Sequence, residues 1–235
     1  METEKLFLED GMMKKVIVLT ALLLAATANA ELILTGIVDG TSSTPKGIEL
    51  YVNGYMDLTG YTIEIESNGT VSGVPTWYTD WTFGAASTGS TGTTDAIFEN
   101  QFIYITSTVD DMIATFASAT ASNTYYGSYF NCNGNDAIAV KDAMGTILDQ
   151  LGDPADVEGN TTSAAWCYVD SYAYRVSGTG LDGGFVISNW MIPGNDYLDS
   201  SPNGSADTPF GTYLVPEPTS LALLGLGGLL LRRKK

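Results

Sequence analysis

The sequence contains no histidine among its 235 residues. Without histidine, the chain cannot supply Ser-His-Asp or Cys-His nucleophilic machinery, and it cannot form a histidine-containing zinc or iron site. Its two cysteines, Cys132 and Cys167, are too few to build a structural zinc site alone. An enzyme of this composition would have to work through carboxylates, as glycoside hydrolases do with a pair of acids.

Positive charge is also scarce between residues 31 and 215. This stretch holds 22 acidic residues but only Lys46, Lys141 and Arg175 as cations, which gives a net charge of about −19. Nucleic acids and anionic membranes are bound through Lys and Arg, so the composition excludes both as partners of this stretch. It is compatible with cations and with neutral or basic glycans, including an exopolysaccharide.

A secretory signal peptide is predicted near the N-terminus. Met12 and Met13 with the two lysines that follow form a positive n-region, and residues 16–27 form an uncharged h-region. Ala28 and Ala30 mark a small-residue cleavage site, and we expect cleavage after Ala30. The residues before Met12 carry four acids, which is the wrong sign for an n-region. We therefore expect translation to begin at Met12 or Met13.

The C-terminal residues combine three features in a fixed order. Pro216, Glu217 and Pro218 break any preceding helix, an uncharged run rich in Leu and Gly follows, and four cations end the chain. The uncharged run, 219–231, would reach only about 20 Å as a helix, against a hydrocarbon core of about 30 Å. It is too short for a permanent span, so we expect transient contact with the inner membrane, the basic end being cytoplasmic. The predicted sorting helix includes Leu221, Leu224, Leu226, Leu230, Arg232 and Arg233.

This tail resembles the PEP-CTERM sorting signal of Gram-negative bacteria. The resemblance implies that an exosortase-type membrane protease reads the tail and cuts it near residues 216–218. It implies an exported protein of the cell envelope, the outer surface or the extracellular matrix. The expected organisation is a leader and signal peptide at 1–30, one domain at 31–212 and the sorting signal at 213–235. An ordinary C-terminal anchor is the alternative interpretation of the tail.

Export has a consequence for the two cysteines. An exported domain folds where disulfides form and persist. We therefore predict a disulfide between Cys132 and Cys167, the alternative being two free thiols.

Residues 31–212 consist mainly of short strand and turn patterns. In residues 61–66, apolar and polar side chains alternate, which predicts a half-buried strand. One short helix is predicted at 110–117, and residues 84–94 are predicted to be a mobile Gly/Ser/Thr-rich loop. This pattern predicts an all-β fold, a β-sandwich. Other strands are predicted at 32–38, 47–53, 77–83, 102–106, 137–141, 146–151, 165–176 and 185–190.

Several segments of this domain together resemble the lamin-tail family. They are TPKGIELY (44–51), DLTGY (57–61), NGNDAIAVKD (133–142), LDQLGD (148–153), YAYRV (172–176) and SNW (188–190). The last two resemble the version found in secreted bacterial proteins, often beside extracellular nucleases. The resemblance implies an immunoglobulin-like β-sandwich that has no catalytic role and serves as an interaction or targeting module.

Acid-rich loops provide candidate calcium ligands. Asp136, Asp153, Asp156 and Asp182 lie in loops rich in Asn, Asp and Gly, and Ca²⁺ takes carboxylate and carbonyl oxygens from such turns. None of the loops has the spacing of an EF-hand. The alternative is that these residues simply form turns, so calcium is a candidate cofactor and the metal site is otherwise unspecified.

Two further strand features allow alternative interpretations. Trp77, Tyr78 and Trp81 could form an aromatic platform for a glycan, but Trp77 and Trp81 are four residues apart and so share one face of a strand, which suits core packing equally well. Glu49 lies between Ile48 and Leu50 in a predicted strand. Its only basic side-chain partners in the domain would be the three cations named above, unless it faces solvent.

The expectation from the sequence is therefore a non-enzymatic protein of the cell surface or matrix, with no catalytic residue and no required cofactor. The alternative functions are a secreted, carboxylate-dependent polysaccharide hydrolase and an accessory domain of an extracellular nuclease system.

Overall fold

Two β-sheets packed face to face make up the structure, a computed structural model that describes residues 30–40, 45–66, 76–85, 90–156 and 162–215. These residues belong to one compact unit, Ala30–Pro216. Residues 1–29 of the predicted signal peptide, including Ala28, and the sorting residues from Pro216 onwards lie outside the described residues, whereas Ala30 is described and exposed. The predicted all-β sandwich with one helix is confirmed.

The described residues contain eleven strands and one α-helix, α1 (Val109–Thr115). The strands are β1 (Glu31–Asp39), β2 (Lys46–Asp57), β3 (Thr62–Glu66), β4 (Tyr78–Phe83), β5 (Gly92–Thr93), β6 (Ile97–Thr106), β7 (Thr124–Tyr126), β8 (Ala137–Lys141), β9 (Ile147–Leu151), β10 (Tyr172–Arg175) and β11 (Trp190–Met191).

The two sheets differ in size. The larger has the strand order β11-β10-β1-β2-β6-β7, and the smaller has the order β5-β4-β3-β8-β9. The β4–β5 and β6–β7 pairs are parallel, and the other pairs are antiparallel. The central strands of the larger sheet are long and rich in β-branched and aromatic residues, which pack well on a pleated surface.

The space between the sheets holds the main hydrophobic core. Alternate side chains of every central strand point into it, which is the periodicity that a two-layer sandwich requires. Its fully buried members include Leu32, Leu34, Ile48 and Leu50 from the larger sheet and Ile63, Phe83, Ile138 and Leu151 from the smaller sheet.

The outer face of the larger sheet carries a second core. Helix α1 and the segment that follows β11 cover this face, so the larger sheet is buried on both sides. The cluster includes Ile33, Val38, Tyr104, Met112, Phe116, Tyr172, Tyr174, Leu198, Phe210 and Tyr213. The chain just before residue 216 is therefore part of the fold.

The structure corrects several predicted element bounds. The strand predicted at 165–176 is limited to β10, and the one predicted at 185–190 is a 3₁₀ turn, Ile187–Asn189, followed by β11. Residues 92 and 93 of the predicted 84–94 loop form β5, whereas residues 86–89 lie outside the described residues. Turn-forming Ser, Asp and Gly interrupt both C-terminal stretches, and the sequence pattern there was too short to separate strand from turn.

Candidate functional site: the C-terminal junction of the sandwich

Four residues form a row across the outer face of the larger sheet. Tyr174 on β10 pairs with Gly36 on β1, Gly36 pairs with Glu49 on β2, and Glu49 pairs with Tyr104 on β6. Residues that pair directly across antiparallel strands project to the same face. The row therefore places one carboxylate between two tyrosines, with a gap where glycine has no side chain.

Glu49 is fully buried, and its carboxylate is surrounded by hydrogen-bond donors. Thr35 Oγ1 and Tyr174 Oη donate to Oε1 at 2.7 and 3.0 Å, and Tyr104 Oη donates to Oε2 at 3.0 Å. The backbone N–H of Gly211 also donates to Oε2. Burial nevertheless raises the pKa of Glu49 to about 7, against the lowering effect of these four donors.

Thr35 reaches Glu49 because β1 has a bulge at this point. The pairing of β1 with β2 shifts register between Leu34 and Gly36, which leaves Thr35 as the extra residue. A bulge of this kind redirects a side chain from its ordinary face. The bulge thereby completes the set of donors around the buried carboxylate.

The last seven described residues, 209–215, run over this row, and we call them the strap. Phe210 lies over Gly36: a Cβ added at Gly36 would be 2.6 Å from Phe210 Cε1. The same ring packs on Phe116 with a centroid distance of 4.8 Å, and on Tyr104 and Tyr174 at 6.1 Å each. Gly36 is thus a close approach that only glycine permits.

Hydrogen bonds continue to the end of the strap. Thr212 N donates to Tyr174 Oη at 3.2 Å, and Tyr213 Oη donates to the carbonyl of Thr179. Leu214 uses both of its backbone polar groups: its N–H donates to Ser177 Oγ at 3.2 Å, and its carbonyl accepts from Gly178 N at 2.9 Å. Val215 packs on the outer core. The strap is therefore bound to the sandwich up to the residue before Pro216.

A second buried polar network joins the two sheets beside this site. Arg175 on β10 pairs with Asp149 on β9 and, at 3.0 Å, with Asp182. Arg175 Nε donates to the carbonyl of Leu34 at 2.8 Å, and Asp149 accepts from Leu34 N at 3.0 Å. The backbone N–H and carbonyl of Leu34, next to the β1 bulge, are therefore both hydrogen-bonded. The guanidinium lies 4.6 Å from the centroid of the Trp190 ring.

None of Lys46, Lys141 and Arg175, the candidate partners of Glu49 in the sequence, pairs with it. Lys46 pairs with Asp39, Lys141 pairs with Glu64, and Arg175 pairs as described. Nor does Glu49 face solvent. Hydroxyl groups and a backbone N–H serve as its partners, and the sequence pattern gave no indication of them.

The candidate calcium ligands are not brought together within the described part of the chain. Asp136 accepts from Asn133 N at 2.8 Å, Asp153 accepts from Ala155 N at 3.0 Å, and Asp156 lies in the same turn as Asp153. Asp182 binds Arg175 and Asn189. The contacts of Asp136, Asp153 and Asp182 are those of turn formation and ion pairing.

A different acidic group was missed by the sequence analysis. Carboxylate oxygens of Asp170, Asp196 and Asp199 lie within 4.8 Å of one another. Asp170 and Asp196 have positive φ angles of 46° and 60°, a conformation that Asp tolerates better than most residues. Exposed acidic groups of this kind are common without an ion, so the cluster alone does not identify a metal site.

The predicted disulfide is not present. Cys132 and Cys167 are both buried, and they are not joined to each other. Cys132 belongs to the core between the sheets, whereas Cys167 belongs to a small cluster with Ala137, Ala164 and Trp166. The two thiols pack in different hydrophobic clusters. The prediction of a disulfide was wrong because it rested on the export context alone and not on the positions of the two residues in the fold.

Of the two tryptophans proposed as a platform, Trp81 is in the main core and is 1% exposed. Trp77 packs beside the small cluster and has the Lys141 ammonium 5.6 Å from its ring centroid. Core packing is therefore the correct interpretation for Trp81, and the two rings do not form a shared exposed surface.

Sequence signals for the row did exist. An isolated glycine in a strand, such as Gly36, often marks a bulge or a close approach. Glu49 was noticed as an ionisable residue between two apolar ones. The sequence did not show that these two residues pair, or that Phe210, far away in the chain, packs on Gly36.

Among the described residues, no helix has the length and apolar character needed to cross a membrane. Residues 214–235 match the family model of the PEP-CTERM protein-sorting motif. No curated protein and no solved structure matches the chain. The motif begins within the strap, at Leu214, and it marks an exported protein that an exosortase-type enzyme sorts at the cell envelope.

Proposed function

We propose that the chain is a non-enzymatic protein displayed on the outer surface or in the extracellular matrix. An exosortase-type protease cuts it near residues 216–218, and the sandwich is then the displayed part. The observation that carries this proposal is the position of the sorting motif. Its match begins at Leu214, one residue before the end of the strap and two residues before the end of the compact unit Ala30–Pro216.

The burial of the perturbed carboxyl groups supports a role without catalysis. The pKa is raised by burial to about 7 for Glu49 and Asp149 and to about 6 for Asp80. A general acid or base must reach the proton that it transfers in a bound substrate. Glu49 and Asp149 are fully buried and Asp80 is 7% exposed, so none of the three is placed to do so.

The two-sheet architecture supports the lamin-tail-like, immunoglobulin-like assignment, because that family has a sandwich used for interaction. The excess of acids favours a neutral or basic glycan of the matrix, an exopolysaccharide, as the partner class. Nucleic acid is disfavoured by the same charge, since its phosphates are bound through Lys and Arg.

The test of sorting uses the full chain in a host that carries an exosortase. We expect the wild-type chain to lose its tail and to appear at the surface, as shown by mass spectrometry and fractionation. A variant with Pro216, Glu217 and Pro218 all replaced by Ala should keep the tail and remain with the membrane fraction. Equal processing of the two chains would contradict the proposal.

The test of display without catalysis uses residues 31–216. This segment is incubated with acidic, neutral and basic polysaccharides and with nucleic acid. We expect binding to a neutral or basic polysaccharide and no release of reducing ends or nucleotides. Turnover that disappears when one carboxylate is replaced by its amide, with the fold unchanged, would establish the hydrolase alternative instead.

A further inference from the structure

The strap carries the hydrogen-bonding groups that a protease needs on the N-terminal side of its cut. Proteins that bind an extended peptide do so largely through main-chain hydrogen bonds to several consecutive residues. In this structure, the N–H groups of Gly211, Thr212 and Leu214 and the carbonyl of Leu214 are already bound to the sandwich. Only Val215 separates this bound segment from Pro216.

We propose that the docked strap restrains processing, so that residues 211–215 must leave the outer face of the larger sheet before the junction is cut. This inference rests on the proposed function, because it concerns regulation of the same junction. The folded domain then has two states, strap docked and strap released, and the sorting enzyme acts on the released state.

The structure indicates how far the release extends. Phe210 is 6% exposed and packs on three aromatic rings and on Gly36, so it is the anchor of the strap. Gly211 follows at once with a φ of +79°, a conformation that glycine adopts without strain. Beyond it, Thr212 and Leu214 are held by hydrogen bonds and Leu214 is 70% exposed, whereas Tyr213 is 4% exposed and packs on Tyr51 with a centroid distance of 6.0 Å. Opening at Gly211 would therefore free the junction and withdraw Tyr213 and Val215 from the second core, while Phe210 still covers Gly36.

Glu49 ties the strap to the sheet. Its carboxylate is held on β2 by Thr35 and the two tyrosines, and it accepts from the first N–H after the anchor. Tyr174 adds a second link, because its hydroxyl contacts both Glu49 and Thr212 N. Release of the strap breaks both links.

Gly211→Ala is the variant that tests this restraint. An added Cβ at Gly211 would lie 2.2 Å from Ser118 Oγ and 2.5 Å from Ser118 Cβ, so the strap must shift. Gly145→Ala is the matched control, because Gly145 has a φ of +82° and nothing within 4 Å of an added Cβ. Ser118→Gly, introduced with Gly211→Ala, removes the atoms that clash and should restore part of the docking.

The first measurement needs no sorting enzyme. Amide hydrogen exchange of the full exported chain is followed in a peptide that covers the strap and in one that covers β8 and β9. We expect Gly211→Ala to speed exchange in the strap by about tenfold or more, with β8 and β9 unchanged. Gly145→Ala should leave the strap as in the wild type. Unchanged strap exchange in Gly211→Ala would overturn the proposal.

The second measurement is the rate of tail removal in the exosortase host. When opening and closing are fast relative to cutting, the cutting rate follows the population of the open state. Gly211→Ala should therefore be processed faster than Gly145→Ala by a factor similar to that seen in exchange. Inserting about six Gly and Ser residues after Val215 adds about 20 Å of reach. With this insertion, Gly211→Ala should give no further acceleration.

The two proposals fail in different ways. If Gly211→Ala opens the strap but does not speed processing, while the Pro216, Glu217 and Pro218 replacement still blocks it, the restraint is wrong and the sorting function stands. If that replacement does not affect processing, the sorting function is wrong. In that case no enzyme acts on the junction and the restraint falls as well, whatever the exchange rates of the strap.

Discussion

Gly36 on β1 lies directly opposite Glu49 on β2, and the space above the glycine is filled by a ring from the far end of the chain. The pairing explains why a buried carboxylate can occur in the centre of a sheet. The Phe210 ring packs directly on Gly36 because glycine has no side chain to exclude it. This packing brings the N–H of Gly211 to the Glu49 carboxylate. The position of the strap thus depends on the lack of a side chain at Gly36 and on the buried carboxylate of Glu49.

Replacing Gly36 by alanine should destabilise the sandwich. The added Cβ would lie 2.6 Å from Phe210 Cε1 and 2.7 Å from Tyr174 Cδ2. Overpacking of this size costs about 1–3 kcal/mol, and urea unfolding would measure the loss. Gly184→Ala is the control, because nothing lies within 4 Å of an added Cβ there. A Gly36→Ala variant as stable as the control would contradict the close approach of Phe210.

Glu49→Gln should change how stability depends on pH. The pKa of Glu49 is raised from 4.5 to about 7 in the folded chain, so the folded state binds this proton more tightly than the unfolded state. Its stabilising contribution is therefore full below about pH 4.5 and is lost as pH rises through about 7, a change of about 3 kcal/mol. Gln cannot ionise, so its variant should lack this loss.

The measurement is the free energy of unfolding of both chains at about pH 4.5 and about pH 8. Taking the difference between the chains removes the contribution of the other titrating groups. Within the described part of the chain, the only titratable side chains that hydrogen-bond to Glu49 are Tyr104 and Tyr174, and burial raises the pKa of both above their usual range. Glu49→Gln should gain stability relative to the wild type as pH rises. A constant difference would show that Glu49 does not titrate in this window.

The architecture was largely predictable from local sequence because it depends on alternation. Ile63 and Ile65 on β3 point into the main core and Glu64 points out, as the period of two requires. The prediction failed where tertiary packing decides. Residues 165–171 are rich enough in aromatics to resemble a strand, yet they form turns in which Tyr168 Oη donates to the carbonyl of Asp136 at 2.8 Å.

The candidate site was predictable only at its C-terminal end. The sorting motif is a contiguous pattern, so it can be recognised without the fold. The row beneath the strap joins four strands and a bulge at Thr35, and these contacts span up to 162 positions in sequence between Glu49 and Gly211. No local periodicity records such a pairing.

Thiol labelling tests directly whether Cys132 and Cys167 are joined by a disulfide. Burial raises the pKa of both thiols, and the thiolate is the reactive form. We expect a thiol reagent to label the native chain slowly and to label both Cys132 and Cys167 after unfolding in the absence of reductant. A chain that shows no free thiol after unfolding would contain the disulfide after all.

Removal of the positive charge between the sheets should be among the most damaging single changes. Arg175→Met would leave Asp149 and Asp182 without their cation, and Asp149 is fully buried. Breaking a buried ion pair from one side costs about 3–5 kcal/mol. The measurement belongs at about pH 8, above the pKa of about 7 to which burial raises Asp149.

Adding Asp149→Asn to Arg175→Met removes the unpaired charge but keeps an acceptor for Leu34 N. The double variant should therefore lose less stability than the sum of the two single variants, and simple additivity would mean that Arg175 and Asp149 do not interact as an ion pair.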